Sequence, residues 1–278
     1  MNHTISRNHP ALARVDAVDA TPRIAIIIPA CNEEECLGRV LEELLARIAP
    51  EKFLVAVGVN GSSDRTAEIA RGYPVLVAET TKRGYGHGCQ TAIDAVNEAY
   101  PEVAAYCFMA ADGASEPTDL AGLVAAYEQG YAMVLGSRTG RRSNWRAMTV
   151  PHVLANFLLG SWCGVLTSRW FNDLAPLRLI ERRLFETLAL QELTFGWTIE
   201  AQVGAALLRS AICVVPAHER ERLAGEQKVS GVTWRRSFSI GCRILMAGWR
   251  ARRRYARRLP TGASVPTPAL MTQSQPGA

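Results

Sequence analysis

Between residues 23 and 140, short apolar runs alternate with stretches of helical periodicity, and this alternation constrains the fold more than any other feature. Ile24–Pro29, Leu54–Val59, Val75–Ala78, Ala104–Met109 and Ala132–Leu135 read as strands. Glu34–Ile48, Ser63–Arg71, Gly88–Ala99 and Thr118–Gln129 read as the helices between them. Strands that are apolar on both faces need cover on both faces. Repeated strand–helix units therefore predict an α/β fold, a Rossmann-like and mostly parallel sheet flanked by helices. On such sheets ligands collect outside the carboxyl ends of the strands, where the strand order reverses. The loops after the strands are thus the places to look for chemistry.

The rest of the composition narrows the class. Of 278 residues, 48% are hydrophobic and 21% charged, which excludes a disordered, collagen-like or coiled-coil chain. The seven cysteines are scattered singly with no Cys-x-x-Cys pair, so they predict reduced core thiols of a cytoplasmic protein rather than a zinc ribbon. The longest apolar stretch, Val150 to Thr167, is interrupted by Pro151, His152, Asn156 and Ser161, so no transmembrane helix is predicted. Met1 to Asp19 has no apolar segment of the secretion-signal kind. Residues 1–22 read as a disordered leader, and 260–278, rich in Pro, Ser, Thr and Gln, as a disordered tail.

The net charge of +5 hides an asymmetry. After Glu226, the last acidic residue, come Lys228 and nine arginines, so this end carries +10 and residues 1–226 carry +5 − 10 = −5. Trp234, Phe238, Leu245 and Trp249 recur there at helical spacing, with arginines on the other faces. Residues 234–259 are therefore expected to form a basic amphipathic helix lying on an anionic membrane surface. A core-packed helix with a solvated basic face is the simpler alternative. No nucleic-acid motif accompanies the charge, so no nucleic-acid partner is expected.

Four loops carry groups suited to a phosphorylated ligand. Pro29 ends the first strand, with Asn32 and Glu33 just after it; Asn60, which can pair with a nucleobase edge, follows the second. Asp112, with Glu116 nearby, follows Ala104–Met109, where a carboxylate can hold Mg²⁺ or Mn²⁺ against phosphate oxygens. Arg138 ends Val134-Leu135-Gly136-Ser137-Arg138, a cation for the same phosphates. His87 and His218 stand alone and are read as structural or solvated.

Taken with the stretches IAIIIPACNEEE, VNGSSDRTAEIA, RGYGHGCQTAI, FMAADGASEP, VLGSR, NDLAPLRLI, TFGWTIEAQ and RLAGEQKVSG, these loops make the chain similar to glycosyltransferase family 2 of the GT-A fold. The similarity spans about residues 23 to 250 and is nearest to the polyprenyl-phosphate sugar synthase branch. The resemblance implies a transferase domain over 23–233 that binds a nucleotide-sugar, UDP- or GDP-linked, with Mg²⁺ or Mn²⁺ as cofactor. By that resemblance Pro29, Asn32, Glu33 and Asn60 hold the base and ribose, and Asp112 with Glu116 holds the metal. Arg83 and Gly84 line the nucleotide loop, Asp173 and Arg178 match the acceptor-side pattern, and Trp197, as a substrate-binding residue, and Glu200, as a catalytic one, match the family's Gly-Trp-Thr-hydrophobic-Glu segment. Arg220, Arg222 and Lys228 belong to a basic loop over the phosphates. The sequence departs from the family at Ala110, Ala175 and Val59, where Asp, Gly or Ser, and Asp are usual.

A lipid-phosphate acceptor is already anionic and needs no strong base, whereas a hydroxyl acceptor requires a carboxylate such as Asp173 or Glu200. The implied activity is inverting, metal-assisted transfer of a hexose to a polyprenyl phosphate by a cytoplasmic protein, peripheral on the inner face of the membrane. A soluble transferase with a hydroxyl acceptor and a catalytically impaired nucleotide-sugar-binding protein are the alternatives.

Overall fold

The structure is a computed structural model that describes residues 5–6, 24–139, 141, 144, 147–148, 150–224 and 234–258. Lys228, the 260–278 tail and the leader apart from Ile5–Ser6 lie outside the described residues. Along the chain run β1 (Ile5–Ser6), β2 (Ile24–Ala30), α1 (Leu37–Leu45), β3 (Phe53–Asn60) and α2 (Thr66–Arg71). Then come β4 (Leu76–Thr80), α3 (Tyr85–Ala99), β5 (Ala105–Phe108), α4 (Leu120–Glu128), β6 (Met133–Ser137) and α5 (Val150–Thr167). The chain finishes with β7 (Arg178–Glu181), α6 (Arg182–Leu188), α7 (Trp197–Leu207), β8 (Ile212–Pro216) and α8 (Trp234–Ala256).

One sheet orders these strands β1-β4-β3-β2-β5-β7-β6-β8. Strands β4, β3, β2 and β5 are parallel. Strand β7 runs antiparallel between β5 and β6, and β8 adds parallel to β6. The order reverses between β2 and β5, so the loops after these two strands, Cys31–Glu35 and Met109–Glu116, face one crevice.

Pleating sorts the β2 side chains into two cores. Ile24, Ile26 and Ile28 pack with Leu37, Leu41 and Leu44 of α1 and Leu120 and Leu123 of α4. Ala25 and Ile27 pack with Cys89 and Ile93 of α3 and, further along, with Trp197, Leu188 and Tyr255. All seven residues of β2 are buried, the signature of a central strand. Helix α3 lies very close to β3, because a Cβ on Gly58 would sit 2.0 Å from the carbonyl oxygen of Gly88. Gly58→Ala should therefore push α3 off the sheet and cost about 3 kcal/mol; a lower urea midpoint checks it, and an unchanged midpoint would refute the close contact.

Two helices depart from the sequence reading. Pro151 sits in the first turn of α5, where the missing N–H costs nothing, so the helix runs through to Thr167. Its apolar stripe points outward: Leu154, Phe157, Leu158 and Val165 are each more than half exposed. In α8 the inward face is Ile240, Ala247, Ala251 and Tyr255, while Leu245, Met246 and Trp249 stand exposed. The small residues allow close approach, and a Cβ on Gly248 would already meet Ile199 and Leu166 at 3.0 Å. Among the described residues no helix is long and apolar enough to cross a membrane.

Candidate active site

The crevice is built first by two loops laced to each other. Asn32 adopts φ 54°, a left-handed conformation that Asn tolerates, after Ala30 ends β2. Its N–H donates to Ser62 Oγ at 3.0 Å, and its Oδ1 accepts from Ser63 N at 2.8 Å. Glu33 N donates to Thr66 Oγ1 at 2.8 Å and Glu34 N to Asp64 Oδ2 at 3.1 Å. Partial burial would raise the Asp64 carboxyl, but hydrogen bonds from the Thr66 hydroxyl, the Thr66 N–H and the Glu34 N–H outweigh it and hold it below its ordinary range. Asn60 is buried and its Nδ2 donates to Gly84 O at 3.1 Å, tying the end of β3 to the start of α3. Arg83 is exposed at the rim and donates to Gly61 O at 3.2 Å.

The loop after β5 presents Asp112. Its Oδ1 accepts from Ala114 N at 3.1 Å, an Asx turn that aims the carboxylate, and its side chain is 28% exposed. Across this loop lies the segment 218–224, which follows β8. Ser115 and Glu219 form an antiparallel bridge, Arg220 N donates to Ala114 O at 2.8 Å, and Leu223 N donates to Asp112 O at 3.1 Å. The segment is pinned at its sides by Arg220 to Glu43 at 2.8 Å and by Cys36 Sγ to Ala224 O at 3.0 Å. Arg222 bridges the two crevice loops, pairing with Glu33 and, at 3.4 Å, with Asp112 Oδ2. Glu33, Asp112, Arg220 and Arg222 are thus brought together at the switch point, while Pro29 is buried in β2 on the side of Gly88.

Trp197, Arg178 and Glu200, named from the sequence, sit elsewhere, in the core. Trp197 is fully buried in an aromatic cluster, 4.7 Å from the Phe108 ring and 5.6 Å from Tyr85. Arg178 is fully buried too: Nη1 donates to Thr198 O at 3.1 Å, Nη2 to Ala175 O, and burial pushes its guanidinium down to about 10. Glu200, also fully buried, accepts Gln191 N at 2.9 Å and Glu192 N at 2.7 Å and pairs with Arg254 of α8. These three have no surface on which to meet a ligand; they join α7 to the sheet, to the loop before it and to α8. Gly-Trp-Thr-Ile-Glu serves the core here because its large ring and its carboxylate both find partners inside. Asp173, 4% exposed, accepts Arg138 Nε and Nη2 at 2.9 and 2.8 Å, and Arg138 also reaches Glu219 and Asn156. Arg138 is therefore held by two carboxylates and an amide oxygen. Glu116 accepts Thr118 Oγ1 at 3.3 Å within its own turn.

Sequence reasoning missed Glu219. One carboxylate oxygen, Oε1, accepts Arg138 Nη1 at 3.1 Å; the other, Oε2, is buried without a hydrogen-bond partner. Burial pushes this carboxyl up to about 7; Arg138 opposes the rise, and the charges of Asp112 and Asp173 add to it. His218 beside it pairs with Asp119 at 2.8 Å, as a structural residue.

Among the described residues no three His, Cys, Asp or Glu side chains form a ready metal cage. The oxygen donors that are present suit Mg²⁺ or Mn²⁺ rather than a soft metal. Such ions need only one or two carboxylates when phosphates and water complete the shell. Asp112 Oδ2 faces only a long contact to Arg222, and the orphaned Glu219 Oε2 lies on the segment across the same loop, so the residues fit such a cation.

Known proteins resemble this chain in sequence and fold. A dolichyl-phosphate hexose transferase of Haloferax volcanii is 29% identical over 216 residues, 74% of this chain and 86% of that protein. An uncharacterized glycosyltransferase of Mycobacterium tuberculosis is 29% identical over 210 residues, 75% of this chain and 90% of the relative. Among solved structures, glucosyl-3-phosphoglycerate synthase from Mycobacterium tuberculosis in complex with Mn²⁺, UDP-glucose and glycerol 3-phosphate has a TM-score of 0.59 at 17% identity, covering 84% of this chain and 80% of that one. That likeness shows the GT-A fold. Residues 25–214 match the family model for glycosyl transferase family 2, and the chain belongs to that family.

Proposed function

We propose that this transferase moves a hexose from a UDP- or GDP-sugar to a polyprenyl phosphate, with inversion, at the cytoplasmic surface of an anionic membrane. The observation that carries the acceptor is the outward apolar face of α5 and α8. Trp162, Leu245, Met246, Trp249 and Arg250 line a hollow of ≈ 490 Å³ there, almost wholly apolar. Arg243, Arg250, Arg252 and Arg253 are exposed on the same helix, a charge suited to anionic headgroups beside a hydrocarbon-seeking surface. The similarity to a dolichyl-phosphate hexose transferase supports the same acceptor.

The site chemistry agrees. Departure of a nucleoside diphosphate develops negative charge that fixed cations must meet. Arg222 would exchange Glu33 and Asp112 for diphosphate oxygens, and Arg220 stands beside it. Asp112 would hold Mg²⁺ or Mn²⁺, which neutralises the same charge when bound. Asp173 and Glu200, the carboxylates that a hydroxyl acceptor would call on, are committed to Arg138 and Arg254. A phosphate acceptor needs neither as a base.

The full chain, given Mn²⁺, labelled UDP- and GDP-sugars and polyprenyl phosphate in anionic vesicles, should place label in the organic extract. Label remaining on a water-soluble product would overturn the lipid acceptor. Membrane binding is tested separately. Deleting α8 is unsuitable because it strips Ala247, Ala251 and Tyr255 from the core. Phe157→Ser with Met246→Ser instead removes two half-exposed apolar groups, about 2 kcal/mol together and roughly thirty-fold in vesicle partition. Unchanged sedimentation of the double variant with anionic vesicles would remove the membrane role.

A further inference from the structure

We infer that Glu219 is the second carboxylate of the cation site, taking over from the acid that Ala110 lacks; this rests on the reading of Asp112 as a cation ligand. Ala110 offers only a methyl group on the β5 side of the crevice. The chain brings a carboxylate across the Asp112 loop from the far edge of the sheet. Strand β8 pairs with β6, and the segment leaving it crosses the loop of Asp112 through the Ser115–Glu219 bridge and the Arg220 to Ala114 hydrogen bond.

Glu219 is positioned from two sides. Its N–H donates to Asn144 Oδ1 at 3.1 Å, and Asn144 is itself buried and donates to Arg138 O and Ala217 O, both at 2.8 Å. Its Oε1 is fixed by Arg138, which Asp173 fixes in turn. These contacts immobilise the carboxyl group yet leave Oε2 buried with no donor. A buried carboxylate oxygen is ordinarily satisfied, and one without a donor requires an explanation. Four carboxylates, Glu33, Asp112, Asp173 and Glu219, pair with the two guanidinium groups of Arg138 and Arg222. A divalent cation between Asp112 and Glu219 satisfies the orphaned oxygen and balances that excess.

The test must separate a ligand from a mere support for Arg138. Glu219→Gln keeps Oε1 for Arg138 and replaces Oε2 with an amide that cannot bind a cation. Mn²⁺ is titrated by electron paramagnetic resonance into the full chain with UDP present, and folding is followed by circular dichroism melting. E219Q should weaken Mn²⁺ binding at least about ten-fold, and Ala110→Asp added to it should restore most of the loss. Normal Mn²⁺ binding by E219Q, with Asp112→Asn defective, overturns the inference and leaves the Asp112 reading standing. Normal binding by both overturns Asp112 as well. Ala110→Asp in the otherwise natural chain covers the case of a misfolded E219Q. It should change Mn²⁺ affinity less than about three-fold, since the position is already served, and a gain of ten-fold or more overturns the inference.

Discussion

Asp112→Asn should lower sugar transfer by about a hundred- to a thousand-fold while the protein stays folded. The substitution is chosen for what it keeps. Asn retains an oxygen to accept from Ala114 N, so the Asx turn that shapes the loop survives. The lost pairing with Arg222 is long, at 3.4 Å, and partly solvated, so its removal changes stability little. What disappears is the negative oxygen that would hold a cation against the departing diphosphate. The effect should fall on kcat, because the charge to be neutralised grows toward the transition state. Steady-state transfer with saturating donor and Mn²⁺ measures it, beside a melting curve. Turnover within a few-fold of the natural chain would refute the role of Asp112.

How far the sequence reveals this site depends on how local each contact is. The crevice loops are legible because their residues follow strands: Pro29 to Glu33 and Asp112 stand at carboxyl ends that an α/β pattern identifies on its own. Arg222 was legible as a basic residue over phosphates, although not as the bridge between Glu33 and Asp112. Glu219 was not legible. Its place depends on β8 joining the far edge of the sheet and on a bridge to Ser115, a pairing across more than a hundred residues that leaves no local pattern. Strand β7 was hidden for the same reason, since four residues lying antiparallel between β5 and β6 owe their conformation to their neighbours. In α5 the apolar run was visible and its direction was not, because an outward and an inward stripe have the same periodicity.

Trp197 tests the other side of that ambiguity, where a residue with a functional look belongs to the core. Trp197→Ala should cost about 3–5 kcal/mol, shifting the urea midpoint strongly, because a fully buried indole leaves a cavity that its neighbours cannot close. Those neighbours are Tyr85 on α3, Phe108 on β5 and Phe185 on α6, so one ring joins three elements around α7. A Cβ on Gly86 would lie 2.6 Å from Trp197 Cδ1, which shows how closely α3 is seated on it. Trp197→Phe should recover most of the stability, since it keeps an aromatic ring and the indole N–H it removes has no hydrogen-bond partner. Donor affinity per folded molecule should be unchanged in the Phe variant. A Trp197→Ala protein that melts like the natural chain but has lost nucleotide-sugar binding would return Trp197 to the substrate site and reverse this assignment.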